Sequence, residues 1–161
     1  MRAPGSGGGG STCGVCDARS IALGTGAKAT DAANSFAIGI SAEATSSGAL
    51  ALGTLTKATS FATTALGNQA EASGFGSAAF GTNVKASGGS STAIGSGCSF
   101  TEPTEASGNY AMTLGNCVKA ASFSETALGA YTEDITPHNT KAYDARDVAL
   151  RVGIGATKDK R

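Results

Sequence analysis

Four cysteines, one histidine and many serines are the residues of this chain with covalent or metal chemistry to offer. Cys13-Gly14-Val15-Cys16 has the spacing of a redox dithiol or of half a zinc site, since two intervening residues let both sulfurs reach one metal or each other. The neighbouring sequence supports neither use. No strand–helix–strand pattern flanks the pair, and no second Cys-x-x-Cys supplies the other two ligands. A local disulfide or two thiols is the expectation there. His138 stands in turn-like sequence, and no Ser-His-Asp or Cys-His set can be assembled around it. It is read as an ordinary loop residue. No glycine-rich loop joins a strand to a helix, so no phosphate cradle is expected. The residues therefore predict a non-enzymatic protein with no catalytic residue, metal or cofactor.

The serines belong instead to a repeat. Gly24, Gly39, Gly53, Gly67, Gly81, Gly95, Gly115 and Gly129 each close a phrase made of a small residue, a variable residue, alanine, a large apolar residue and glycine. Five of the seven glycine spacings are 14, one is 15 and one is 20. A short fixed period of this kind marks a solenoid, in which one repeat is one coil and buries its surface only against its neighbours. Numbered from the small residue, the coils open at Ser20, Ser35, Ala49, Thr63, Ser77, Ser91, Ala111 and Glu125. Residues 20–138 thus hold eight coils, with Asn34 as one extra residue in the first.

Within a coil the pattern alternates with period two, so each coil is built from strands. The third position is alanine in every coil but one, which has Thr113. Alanine suits a narrow interior. The fourth position points the other way and is always large: Leu23, Ile38, Leu52, Leu66, Phe80, Ile94, Leu114 and Leu128. Stacked coils turn these residues into one outward apolar stripe, the mark of an interface. Burying each large side chain stabilises by roughly 1.5–3 kcal/mol, and the natural partner is another copy of the chain.

After the glycine, small or β-branched eighth and tenth positions (Ala27 and Ala29, Val84 and Ala86) face inward again. Between them lies a charge whose sign alternates up the stack: Lys28, Glu43, Lys57, Glu71, Lys85, Glu105, Lys119, Glu133. Neighbouring strands of a sheet lie about 4.7–4.9 Å apart, so opposite charges become neighbours and repulsion is avoided. The alternation holds only if the six residues by which the spacing of 20 exceeds 14 are inserted near Cys98–Pro103. Cys98 then begins its excursion beside Cys117, which holds the seventh position of the next coil. A disulfide between Cys98 and Cys117 is predicted from that stacking. Phe61, Phe75 and Phe123 share one turn position and are expected to form a surface strip or to cover a coil end.

Composition narrows the function classes. Twelve acidic and twelve basic residues cancel, so no nucleic-acid partner is expected from net charge. No apolar run approaches the ~18 residues of a membrane helix, so this segment is not expected to insert into a membrane. Met1–Arg19 is rich in glycine and serine and is expected to be flexible. It has no apolar core of a signal peptide. Residues 139–161 carry one predicted strand around Val148–Val152, as a cap on the last coil or the start of a further module.

The repeat resembles the head of YadA-like trimeric autotransporter adhesins. Ser20-Ile21-Ala22-Leu23-Gly24, Ser35-Phe36-Ala37-Ile38-Gly39 and Ser91-Thr92-Ala93-Ile94-Gly95 carry the resemblance. It implies an all-β fold, a left-handed parallel β-roll of about eight 14-residue coils. It also implies a homotrimer whose interface is the apolar stripe. The implied function is attachment to an extracellular-matrix protein or a host-cell receptor from the bacterial cell surface. Similar repeats also look at home in phage tail fibres and virion spikes, where the same coils would be a structural section of a trimeric fibre. The charge ladder and the insertion at 98–103 are the surface candidates for a ligand.

Overall fold

The computed structural model describes residues 20–29, 34–99, 101–132, 137 and 139–154. The alternation of small and large residues gives two strands per turn. In chain order these are β1 (Ile21–Leu23), β2 (Lys28–Ala29), β3 (Phe36–Ile38), β4 (Glu43–Ala44), β5 (Leu50–Thr54), β6 (Lys57–Ala58), β7 (Thr64–Asn68) and β8 (Glu71–Ala72). Then follow β9 (Ala78–Thr82), β10 (Val84–Ala86), β11 (Thr92–Ser96), β12 (Thr104–Ala106), β13 (Met112–Asn116), β14 (Lys119–Ala120), β15 (Thr126–Ala130) and β16 (Leu150–Ile154). The odd-numbered strands and β16 make one nine-stranded sheet, and β2 to β14 make a second, seven-stranded sheet. All pairs in both sheets are parallel and join each coil to the next. The molecule is a parallel β-solenoid of about eight turns.

Register follows the repeat. Ala51 pairs with Ala65, Leu52 with Leu66 and Gly53 with Gly67. Across the insertion the second sheet resumes without slipping, with Lys85 on Glu105 and Glu105 on Lys119. The core between the sheets is mostly alanine, with Val84, Val118, Thr56, Thr104 and Thr113 as the larger exceptions. Alanine is what fits, because two sheets drawn from one short coil leave no room for larger side chains. The first position also faces inward: Ser35, Thr63, Ser77 and Ser91 are buried. There the hydroxyl can bond nearby backbone, as when Thr63 Oγ1 donates to the Ser60 carbonyl at 2.7 Å and Ser77 Oγ to the Ala86 carbonyl at 3.1 Å.

The glycine column has a steric cause. Gly53 sits at φ 132°, and a Cβ built on it would stand 1.8 Å from the Gly67 carbonyl oxygen. The same close approach recurs from coil to coil, so the fifth position admits no side chain at all. Most turns also bend at two residues in the left-handed region, the seventh and the last. Leu55 (φ 56°) and Ala62 (φ 54°) do this in the third coil. The bends are held by stacking: Leu55 N–H donates to the Ile40 carbonyl at 2.8 Å and Ala62 N–H to the Ser47 carbonyl at 2.9 Å.

The sheet runs on past residue 138. β16 pairs with β15 in the same register, with Arg151 on Ala127, Val152 on Leu128 and Gly153 on Gly129. Ala149-Leu150-Arg151-Val152-Gly153 is therefore the phrase once more, with arginine where the others have alanine or, once, Thr113. Residues 139 and 140 reach back over a corner of the solenoid. The Asn139 carbonyl accepts from Phe123 N–H at 3.1 Å and the Thr140 carbonyl from Asn109 N–H at 2.8 Å.

Candidate functional site

Three surfaces and one interior cluster depart from a plain alanine coil. The outward face of the nine-stranded sheet carries the fourth-position residues. Leu23, Leu52, Leu66 and Leu114 are exposed, Leu23 to 63%, whereas Ile38, Phe80, Ile94 and Leu128 are half-buried. A second outward row accompanies them at the second position, where Ile21, Phe36, Met112 and Leu150 are exposed. That row is absent from the expectation drawn from sequence. Its residue type varies, with Thr64, Ala78, Thr92 and Thr126 among the apolar members. The signal was nonetheless present, because period two places the second and fourth positions on one face.

On the seven-stranded sheet the charged residues come into register. Lys28 pairs with Glu43, Glu43 with Lys57, Lys57 with Glu71, Glu71 with Lys85, Lys85 with Glu105 and Glu105 with Lys119. Lys28 Nζ lies 2.9 Å from Glu43 Oε1, and Lys85 Nζ lies 3.9 Å from Glu71 Oε1. Glu133, the last rung in the sequence, lies outside the described residues. Beside the ladder runs a row of small hydroxyl residues, Thr45, Thr59, Ser73, Ser87 and Ser107.

The inserted loop occupies one corner. The sulfurs of Cys98 and Cys117 are bonded, with their Cα atoms 4.9 Å apart. Inside the loop Cys98 N–H donates to the Glu102 carbonyl at 2.9 Å, and Asn83 Nδ2 donates to the Ser99 carbonyl. Thr104 restores the register: its Oγ1 donates to the Ser96 carbonyl at 2.6 Å and accepts from Val118 N–H at 3.2 Å. On the other corner Phe61 and Phe75 stack at 5.3 Å, and Tyr110 meets Phe123 edge to face at 5.5 Å. The shared turn position thus pairs Phe61 with Phe75, whereas Phe123 meets Tyr110 from the following position of the coil below; Gly89 and Asn109 hold the shared position in between.

The interior cluster is Glu125 and Arg151. Glu125 is fully buried at the first position, and its Oε2 accepts from the N–H groups of Ala121 and Ser122 at 2.8 Å each. Its Oε1 accepts from Arg151 Nε, and Arg151 Nη2 donates to the Lys119 carbonyl. The carboxylate takes up backbone donors at the corner, and the guanidinium neutralises it in the place of two small residues. The sequence does show both departures. Each alone looks like an exception to the pattern, and their pairing appears only when β16 is laid on β15.

Among the described residues no three or more His, Cys, Asp or Glu side chains come together as a metal site. No helix among them is long and apolar enough to cross a membrane. Cys13, Cys16 and His138 lie outside the described residues.

A search of curated proteins found no match. The family model of the YadA head domain repeat, which spans two copies, matches at residues 18–42, 31–56, 58–83 and 72–97. These intervals cover the first six glycines of the column. The seventh and eighth coils and β16 continue the same register beyond them. Period, parallel stacking, the glycine column and these matches agree, and the chain carries YadA head domain repeats.

Proposed function

We propose that this chain is the head of a non-enzymatic trimeric adhesin, exposed at a bacterial surface, that attaches its bearer to a host cell or extracellular matrix. The YadA head repeats support an adhesin-like head region. The observation that carries the proposal further is the outward face of the nine-stranded sheet. Two rows of residues, one of them large and apolar in every coil, lie in water in the single chain. Exposed apolar area of that extent drives association. Three copies packed through it, each a left-handed coil, would leave the charge ladder and the stapled corner outward for a ligand. Residues 20–138 would form the body of the head, and the segment from 139 its cap, with β16 covering the last coil.

Light scattering tests the assembly. A mass of about three times the 15.6 kDa of one chain is expected, and Leu66→Glu on the apolar row should reduce it to that of one chain. A monomeric wild type overturns the trimer. Binding of the assembled head to immobilised matrix proteins and to host cells tests attachment. A trimer that binds none of them moves the repeats to a structural section of a fibre, of the kind found in virion spikes.

A further inference from the structure

We propose that the aromatic corner is a saccharide-binding site, which takes a neutral sugar ring over Gly89, between Phe75 and Asn109. Such a sugar is what the proposed head would attach to, so the site rests on that reading. The thirteenth position of consecutive coils holds Phe61, Phe75, Gly89, Asn109 and Phe123. Phe61 and Phe75 stack and remain 50% and 62% exposed. Stacking uses one face of the Phe75 ring. The other face is turned toward the coil of Gly89, which has no side chain to cover it. Asn109 closes the far side, where its Oδ1 accepts from Gly89 N–H at 2.8 Å. Coils lie about 4.7–4.9 Å apart, so Phe75 and Asn109, two coils apart, leave room between them for one flat ring.

Backbone donors line the same column. Asn109 N–H donates to the Thr140 carbonyl at 2.8 Å and Phe123 N–H to the Asn139 carbonyl at 3.1 Å. Among the described residues nothing accepts from the N–H of Phe61 or Phe75, or from Asn109 Nδ2. A ligand that brings its own oxygens would meet these donors as residues 139 and 140 meet theirs.

The charge of the surroundings selects the ligand. From residues 46–48 to 122–124, the last three positions of six consecutive coils hold only serine, glycine, alanine, phenylalanine, asparagine and tyrosine. An anionic ligand finds no cation there. A neutral saccharide offers a C–H face to the ring and hydroxyl oxygens to the N–H groups, the combination of apolar platform and few oriented polar groups that a small-ligand site requires.

The test places the full chain on immobilised neutral and acidic oligosaccharides, with immobilised matrix proteins alongside. Neutral sugars should retain the wild type equally at low and high salt, because no charge is screened. Phe75→Ala and Asn109→Ala should each weaken retention roughly tenfold or more. Gly89→Phe should abolish it by filling the gap, without loss of thermal stability. The same position carries phenylalanine in three other coils, and a Cβ on Gly89 meets only the Asn109 amide, from 3.3 Å. Light scattering should give each variant the mass of the wild type. Stronger binding by Gly89→Phe would mark the corner as a plain apolar strip and overturns the proposal. Retention by acidic sugars alone, or by proteins alone, also overturns it, as does a Phe75→Ala variant that no longer assembles. A wild type that binds matrix proteins or cells but no sugar overturns this site and leaves attachment standing, whereas one that binds none of them overturns both.

Discussion

Residues that look interchangeable in the repeat differ sharply in what surrounds them. Gly67 and Gly76 both sit at positive φ, 131° and 63°. A Cβ on Gly67 would stand 2.0 Å from the Gly81 carbonyl oxygen, whereas the nearest atom to one on Gly76 is Ser90 Oγ at 3.6 Å. Gly67→Ala should therefore destabilise by about 3 kcal/mol or more, because backbone must separate. Gly76→Ala should cost only about 1–2 kcal/mol, the ordinary price of a left-handed alanine. Urea unfolding of the two variants under identical conditions separates these outcomes. Arg151 and Glu125 allow a second comparison. Arg151→Ala strands a buried carboxylate and should destabilise by roughly 3–5 kcal/mol. The double variant Arg151→Ala, Glu125→Ser returns both positions to the repeat pattern and should recover most of that loss in the same assay. Both charges could be read from the sequence as departures. Their partnership could not, since 26 residues and a non-periodic excursion separate them.

Among the elements, strands two to five residues long would not stand alone, and stacking makes them stable. Register is the property at risk wherever the repeat is interrupted. After the inserted loop Thr104 bonds both the strand before it and the coil above, and the Cys98–Cys117 bridge ties the loop to that coil. With a sequence separation of 19, the bridge should contribute about 3 kcal/mol through the entropy of the unfolded chain. Unfolding with and without reductant measures this directly. Cys98→Ser should lose the same amount and become insensitive to reductant, while a wild type indifferent to reductant would show that Thr104 alone fixes the return.

Seen whole, the chain is a stack with an alanine core between a mainly apolar outer face and a charged one. The proposed association through the nine-stranded sheet is hydrophobic and should survive high salt. Mass by light scattering at low and high salt therefore checks the proposed trimer, and Leu66→Glu should remove it at both.

The sequence by itself determined the coil, its period, the inward alanines, the glycine column and the alternation of charge. It could do so because each coil touches only its neighbours, so a linear period becomes a spatial one without further information. Beyond the Cys98–Cys117 bridge and a strand near Val148–Val152, which the sequence also suggests, tertiary structure decided what happens where the period breaks. It laid Leu150–Ile154 on the sheet as a ninth strand and put Arg151 against Glu125. It also paired Phe61 with Phe75 but set Phe123 against Tyr110 of the neighbouring position, and placed a second row beside the apolar stripe. Those features rest on contacts across irregular lengths of chain or on residues of varying type, and no local pattern encodes which of them meet.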